Sequence, residues 1–286
     1  MNNPTGIDEA AHHAEVEAWR AQRAKNLRSD EGWLVVAGLF FLDEGENRFG
    51  SAPDNPIELP SHSAPAHAGH FLLEGDRVTV VPAPETKMLL AGQPIGRYVL
   101  AADEPGPADV LALGDLRLFV VLRDGQRAIR LRDLQSPLRT QFRGVPHFPV
   151  RAEYRVRAAF VPHADSATRI AVTNQVGKVT DTLSPGKVVF ELAGKRLSLD
   201  ALLDDATSKR LTILFRDGTS GRETYGAGRF LYSEGLPNAG EVVLDFNKAY
   251  NPPCAFNPLV VCPLPPPQNR LDVRVEAGEM LPHEAH

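Results

Sequence analysis

The sequence has no apolar run approaching the roughly 18 residues that a membrane-spanning helix needs. Its longest candidates, such as Trp33 to Leu42, are too short. Cysteine is scarce: Cys254 and Cys262 are the only two, which excludes a disulfide-stapled scaffold. Positive charge is not in excess. The formal net charge is −5, which argues against a nucleic-acid binder. The stretch Met1 to Arg28 carries Asp8, Glu9, Glu15 and Glu17 and lacks the apolar centre of a secretory signal, so a cytoplasmic protein is expected. No GxxxxGK[ST] loop, GxGxxG turn, HExxH pair or GxSxG elbow occurs. Standard nucleotide loops, helical zinc sites and serine elbows are thereby excluded, and no cofactor is expected.

What is present is punctuation. The 286 residues include 24 prolines and 23 glycines, which separate short runs with period-two alternation. Such runs are Arg77 to Val81, Ala128 to Asp133, Tyr154 to Ala158, Arg169 to Thr173, Lys187 to Leu192, Leu211 to Phe215 and Glu241 to Phe246. Spacing of this kind indicates antiparallel sandwiches or barrels, not a parallel doubly wound sheet. Gly194-Lys195 between two such runs predicts a tight hairpin. Before residue 32 the pattern is helical instead, with Val16, Trp19, Arg20 and Arg23 on one face of a helix over residues 8–28 and Gly32 as its stop.

Two stretches resemble known families. Glu46 to Pro60 contains Arg48-Phe49-Gly50-Ser51, then Pro53-Asp54-Asn55, then Ile57-Glu58-Leu59. Ser63 and His67 follow, and Leu111-Ala112-Leu113-Gly114-Asp115-Leu116 comes later. This order resembles a forkhead-associated (FHA) domain over residues 33–125. The resemblance implies a β-sandwich but not that family's phosphothreonine recognition. The family's phosphate-binding arginine follows the turn glycine, and here that residue is Ser51. A guanidinium grips a phosphate with two parallel bonds, and a hydroxyl does not replace its charge.

The second stretch includes Thr219 to Leu231, Asp245 to Phe256, Cys262 to Pro266, Asn269-Arg270-Leu271 and Ala277-Gly278-Glu279. It resembles a bacterial family known as domain of unknown function 1684, as does the segment from Gly32-Trp33-Leu34 to Gly50. That resemblance implies no mechanism. The expected architecture is mostly β. An N-terminal helix spans 1–32, an FHA-like sandwich 33–127, and a second antiparallel barrel or sandwich with a proline-rich loop 128–286.

The chemistry-bearing residues gather in the last third. Pro252, Pro253, Pro258, Pro263, Pro265, Pro266 and Pro267 fix φ along a short segment, a cheap platform to order. Asp245, Asn247, Tyr250, Asn251 and Cys254 project from it or from the strand feeding it, and Glu223, Tyr225 and Arg229 come from the preceding turn region. One reading is a pocket for a small polar or anionic molecule, with Asp245 or Glu223 as a base. In that reading Arg229, Asn247, Tyr250, Tyr225, Asn251 and Cys254 bind the ligand, in simple binding or a hydrolase- or lyase-like reaction. The other reading is a plug in which Asp and Asn side chains satisfy backbone groups around the prolines. A protein-interaction role for the FHA-like sandwich is the rival from another class.

Residues 123–157 hold nine arginines and three acids, Asp124, Asp133 and Glu153. Arg130 and Arg132 share a strand face, as do Arg155 and Arg157. Either acids elsewhere neutralise them, such as Asp43, Glu44, Glu46, Asp204 and Asp205, or they form an anion-binding face. His147 lies in the same stretch and reads as a packed or surface histidine. Cys254 and Cys262 lack the spacing of a structural zinc pair, and His147, His163, His283 and His286 are poorly placed to complete one. Free thiols and no metal are expected.

Overall fold

The computed structural model describes residues 8–282 apart from Ser166 and Ala206, so His283 and His286 lie outside the described residues. It is mostly β, with one long helix, Glu9–Arg28, and predominantly antiparallel sheets. Each alternating run became a strand: Arg77–Pro82, Gln126–Asp133, Arg155–Pro162, Arg169–Thr173, Gly186–Leu192, Thr212–Phe215 and Glu241–Asp245. No helix among the described residues is long and apolar enough to cross a membrane.

The chain divides into two compact units, Leu27–Phe142, and Met1–Asn26 together with Arg143–His286. The division falls after Phe142 and not near residue 127. Strand Gln126–Asp133 pairs along its whole length with Leu116–Arg123, and its other edge pairs with Val36–Phe41, so a cut at 127 would split a hairpin. The helix, up to Asn26, belongs with the C-terminal unit.

Leu27–Phe142 is a sandwich. Its six-stranded sheet runs Val36–Phe41, Gln126–Asp133, Leu116–Arg123, Leu111–Leu113, Leu89–Leu90, Gln93–Pro94 in spatial order. The five-stranded sheet runs Ile57–Glu58, Gly45–Gly50, Gly69–Glu74, Arg77–Pro82, Tyr98–Leu100. Alternation sends Phe49, Phe71 and Val80 from one sheet against Leu118, Ile129 and Leu131 from the other, in one continuous core. Asn55 pins the Pro53–Asn55 turn by donating to the carbonyls of Ala52 (2.8 Å) and Ala66 (2.9 Å). Gly50 is demanded by packing, because a Cβ there would collide with the Ala66 carbonyl.

The other unit is built on a four-stranded sheet in the order Lys195–Ala201, Gly186–Leu192, Arg155–Pro162, Glu241–Asp245, with two further hairpins, Arg169–Thr173 with Val179–Leu183 and Thr212–Phe215 with Arg229–Tyr232. The first hairpin of the sheet turns at Ala193-Gly194, one residue earlier than Gly194-Lys195. Both turn residues take positive φ (51° and 73°), which matches strand twist in a two-residue loop. Phe246 is fully buried, 5.4 Å from the ring centroids of both Phe190 and Phe215. The helix starts on Asp8, whose carboxylate accepts from the amides of Ala10 (3.0 Å) and Ala11 (3.2 Å). Its buried face carries His12 and Val16, with Trp19, Arg20 and Arg23 half-buried.

Candidate functional site

Most of the polar residues singled out in the C-terminal third are committed to backbone. Arg229 is fully buried and donates to the carbonyls of Ala277 (2.5 Å), Val275 (2.9 Å) and Glu279 (3.3 Å). Its ionic partner is Asp217 at 3.3 Å, not Asp245. Burial pulls the guanidinium pKa down, and the Asp217 charge opposes that. Asp217 also accepts from the hydroxyl of Thr219 and the amide of Val275 (2.7 Å). Gly228 explains how Arg229 gets inside: it sits at φ 103°, packed against Pro265 and the Phe215 carbonyl.

The asparagines behave alike. Asn247 accepts from the Arg151 amide (3.0 Å) and donates to the Arg151 carbonyl (2.9 Å), standing in for a peptide unit. Asn251 donates to the Met280 carbonyl (2.8 Å). Asn269, one of the residues that carry the family resemblance, bridges the Asp200 amide (2.7 Å) and the carbonyls of Asp200 and Leu214 (both 2.9 Å). Glu223 lies at the surface in an ion pair with Arg274 (2.6 Å), which holds its carboxyl below the usual range. Tyr250 packs among Trp19, Phe230 and Tyr232 under the Arg23 guanidinium. Burial pushes its phenol up. Arg229, Asp245, Asn247 and Tyr250 therefore do not converge on one centre; only Asp245 and Asn247 touch.

Asp245 has a partner that nothing near it in the chain announces. The His12 ring nitrogen Nε2 lies 2.9 Å from Asp245 Oδ2, with side-chain exposures of 3% and 1%. Oδ1 accepts from the Asn247 amide (3.1 Å) and side chain (2.8 Å), and Lys248 Nζ lies 3.7 Å from Oδ2. Asn247 donates twice to Oδ1, so Asp245 serves there as an acceptor, and a proton on Nε2 of His12 would complete the contact with Oδ2. His12 lines a cavity of about 190 Å³ together with Asp8, Ala11, Glu15 and Arg155. Arg155 is held by Glu234 at 2.5 Å, and Glu15 by Lys248 at 2.6 Å. A larger groove of about 350 Å³, lined by Glu153, Tyr154 and Glu191 to Gly194, contains no such acid–base pair.

Further along the helix, Arg23 forms an ion pair with buried Glu279 and donates to the Asn251 carbonyl (2.8 Å). His147 sits nearby with its pKa pulled down by burial first and by the Arg20 charge second. Six of the nine arginines between 123 and 157 are paired, but with acids other than those expected: Arg123 with Asp103, Arg127 with Asp76, Arg139 with Asp30, Arg151 with Glu276, Arg155 with Glu234 and Arg157 with Glu241. Asp43, Glu44, Glu46 and the Asp204-Asp205 pair are not their partners in these contacts. Arg132 lies over the Phe119 ring at 4.9 Å. Among the described residues no group of three or more His, Cys, Asp and Glu side chains is placed to hold a metal.

The chain belongs to the DUF1684 family, described as a protein of unknown function, whose profile matches residues 140–280. It is similar to an uncharacterized protein of Haloarcula marismortui solved by solution NMR. The two share 33% identity over 51% of this chain and 80% of that one, with a TM-score of 0.43. It is also similar to an FHA domain from a study of phosphothreonine-dependent FHA interactions, at 21% identity over 32% of this chain and 79% of that chain, TM-score 0.23. The FHA domain of FhaA, complexed with the intracellular domain of Rv3910, matches at 20% identity over 32% and 84%, TM-score 0.23. No curated protein matches the sequence.

Proposed function

We propose that the C-terminal unit, completed by the N-terminal helix, binds a small polar molecule in the cavity beside His12 and performs acid–base chemistry on it, of a hydrolase- or lyase-like kind. The observation that carries this is the buried His12–Asp245 pair at 2.9 Å, in which His12 also forms part of a cavity wall. A carboxylate that fixes one imidazole nitrogen as a donor leaves the other to take a proton from a ligand hydroxyl or amine. Asp245 thus acts through His12, as a positioning residue. Glu15 is paired with Lys248 and Arg155 with Glu234, so a polar ligand of low net charge suits this cavity.

A thermal-shift screen of small alcohols, amines and carboxylates against the purified protein tests the reading, since a ligand of the native state raises its melting temperature. A hit whose shift disappears in His12→Ala, in protein that still unfolds cooperatively, supports it. Hits that are equally effective on His12→Ala would sink it.

A further inference from the structure

Away from the His12 cavity, Cys254 and Cys262 are unbridged and almost fully buried, at 5% and 3% exposure. They are not merely two packed thiols. The Cys254 amide donates to Cys262 Sγ at 3.2 Å, which ties one residue of the pair to the sulfur of the other. Two polar side chains bond the backbone of this pair. Gln175, at the tip of the Arg169–Thr173 hairpin, accepts from the Cys262 amide (3.1 Å) and reaches Tyr225 Oη at 3.4 Å. Tyr225 in turn donates to the Cys254 carbonyl at 3.3 Å. Proline at 252, 253, 258 and 263 fixes φ along the segment that carries both cysteines, which limits how far their backbones can separate.

We propose that Cys254 and Cys262 form a reversible dithiol–disulfide pair oxidised by hydroperoxides, with Cys254 as the attacking sulfur and Cys262 as the resolving one. The Cys254 thiolate attacks a peroxide oxygen. An S–O bond forms, the O–O bond breaks, and the departing alkoxide or hydroxide takes up the proton that Cys254 had lost. The Cys262 sulfur then attacks the sulfenic acid. The S–S bond forms, the S–O bond breaks, and water leaves with the Cys262 proton. Two thiols and one hydroperoxide give one disulfide, one alcohol or water, and one further water.

The attacking role is given to Cys254 because the Tyr225 hydroxyl reaches that residue, at 3.3 Å from its carbonyl. The neighbouring Cys262 side chain favours the Cys254 thiolate and pushes its pKa down to about 7 against the opposing effect of burial, with Tyr225 assisting. The Cys254 side chain and burial push the Cys262 thiol up, against the Cys254 amide that donates to its sulfur. Gln175 is exposed and Tyr225 half-buried, so the backbone contacts of both cysteines lead to side chains that solvent reaches.

The experiment treats the full chain with hydrogen peroxide, quenches it with maleimide under denaturing conditions, and maps the peptides by mass. In wild type both thiols are expected to disappear together into one Cys254–Cys262 disulfide, two hydrogens lighter, and to return with dithiothreitol. Cys262→Ser should stop at a sulfenic acid on Cys254 that dimedone traps. Cys254→Ser should leave Cys262 titratable at the same peroxide dose. The oxidation rate of wild type should rise about tenfold per pH unit and level off near the Cys254 pKa instead of near 8.5. Independent loss of the two thiols, or no disulfide in the wild-type map, overturns the proposal. So does a Cys254→Ser variant whose Cys262 oxidises as fast as the wild-type pair. The wild-type map stands whether or not the variants fold.

Discussion

The Arg229 guanidinium lies 3.3 Å from the Asp217 carboxylate, with side-chain exposures of 0% and 1%, and its Nη1 and Nη2 also donate to carbonyls of the segment 275–279. The segment from Val275 to Glu279 has no regular strand or helix, so its carbonyls need partners from elsewhere, and one arginine supplies three of them. Asp217 neutralises the charge that this requires. The pair is thus a clamp holding an irregular stretch onto the core.

Breaking that clamp from one side strands a buried charge. Asp217→Asn and Arg229→Met should each lower unfolding stability by about 3–5 kcal/mol. Urea unfolding monitored by tryptophan fluorescence measures this. A cost under about 1 kcal/mol in both would show that the segment is held by other contacts.

Gly228 prepares the entry of Arg229 into the core. At φ 103°, with Pro265 and the Phe215 carbonyl where a Cβ would go, alanine is penalised both by its backbone and by collision. Gly228→Ala should cost about 1–3 kcal/mol. The same substitution at Gly45, where φ is 91° but nothing lies near the Cβ, carries only the backbone part and should cost less. Comparing the two melting temperatures separates the contributions.

Removing the Asp245 carboxylate should affect chemistry more than folding. Asp245→Asn keeps the shape but allows the amide to present a donor to His12, which disturbs the tautomer. For any ligand found by screening, we expect turnover or affinity to fall at least tenfold, with a stability loss of about 1–3 kcal/mol. A variant with unchanged ligand response and a large fall in stability would mark the pair as structural.

His147 predicts a pH dependence. Its pKa in the folded protein is lowered, so the unfolded chain binds more protons in the acid range and stability rises with pH there. The contribution is fully present above the ordinary histidine pKa of about 6.5 and is lost as pH falls through that value toward the folded one. Melting temperature should therefore drop on acidification below about 6.5, and His147→Gln should flatten that part of the profile. An identical profile in the variant would assign the slope to other groups.

The sandwich of residues 27–142 should not bind phosphothreonine peptides, because Ser51 follows Gly50 where a guanidinium would be required. Calorimetric titration with a degenerate phosphopeptide library should show no heat of binding. Micromolar affinity that vanishes on dephosphorylation would refute this.

The strands, the helix and several turns were legible in the sequence because each is decided by neighbours in the chain. Alternation over Arg77 to Val81 or Glu241 to Phe246 sets which side chains enter a core, and the helical recurrence of Val16, Trp19 and Arg23 needs no distant information. Gly228 before a buried Arg229 could be read as a demand for close approach or positive φ, and it takes both. What sequence could not decide was partnership. Asp245 pairs with His12 across 233 positions, and Arg229 chooses Asp217 over Asp245, because sheet pairing and helix docking fix those distances only once the whole core has formed. The polar density around the prolines was visible, but whether each amide faced a ligand or a backbone carbonyl depended on where an irregular segment came to rest. There, every buried peptide group needed a partner.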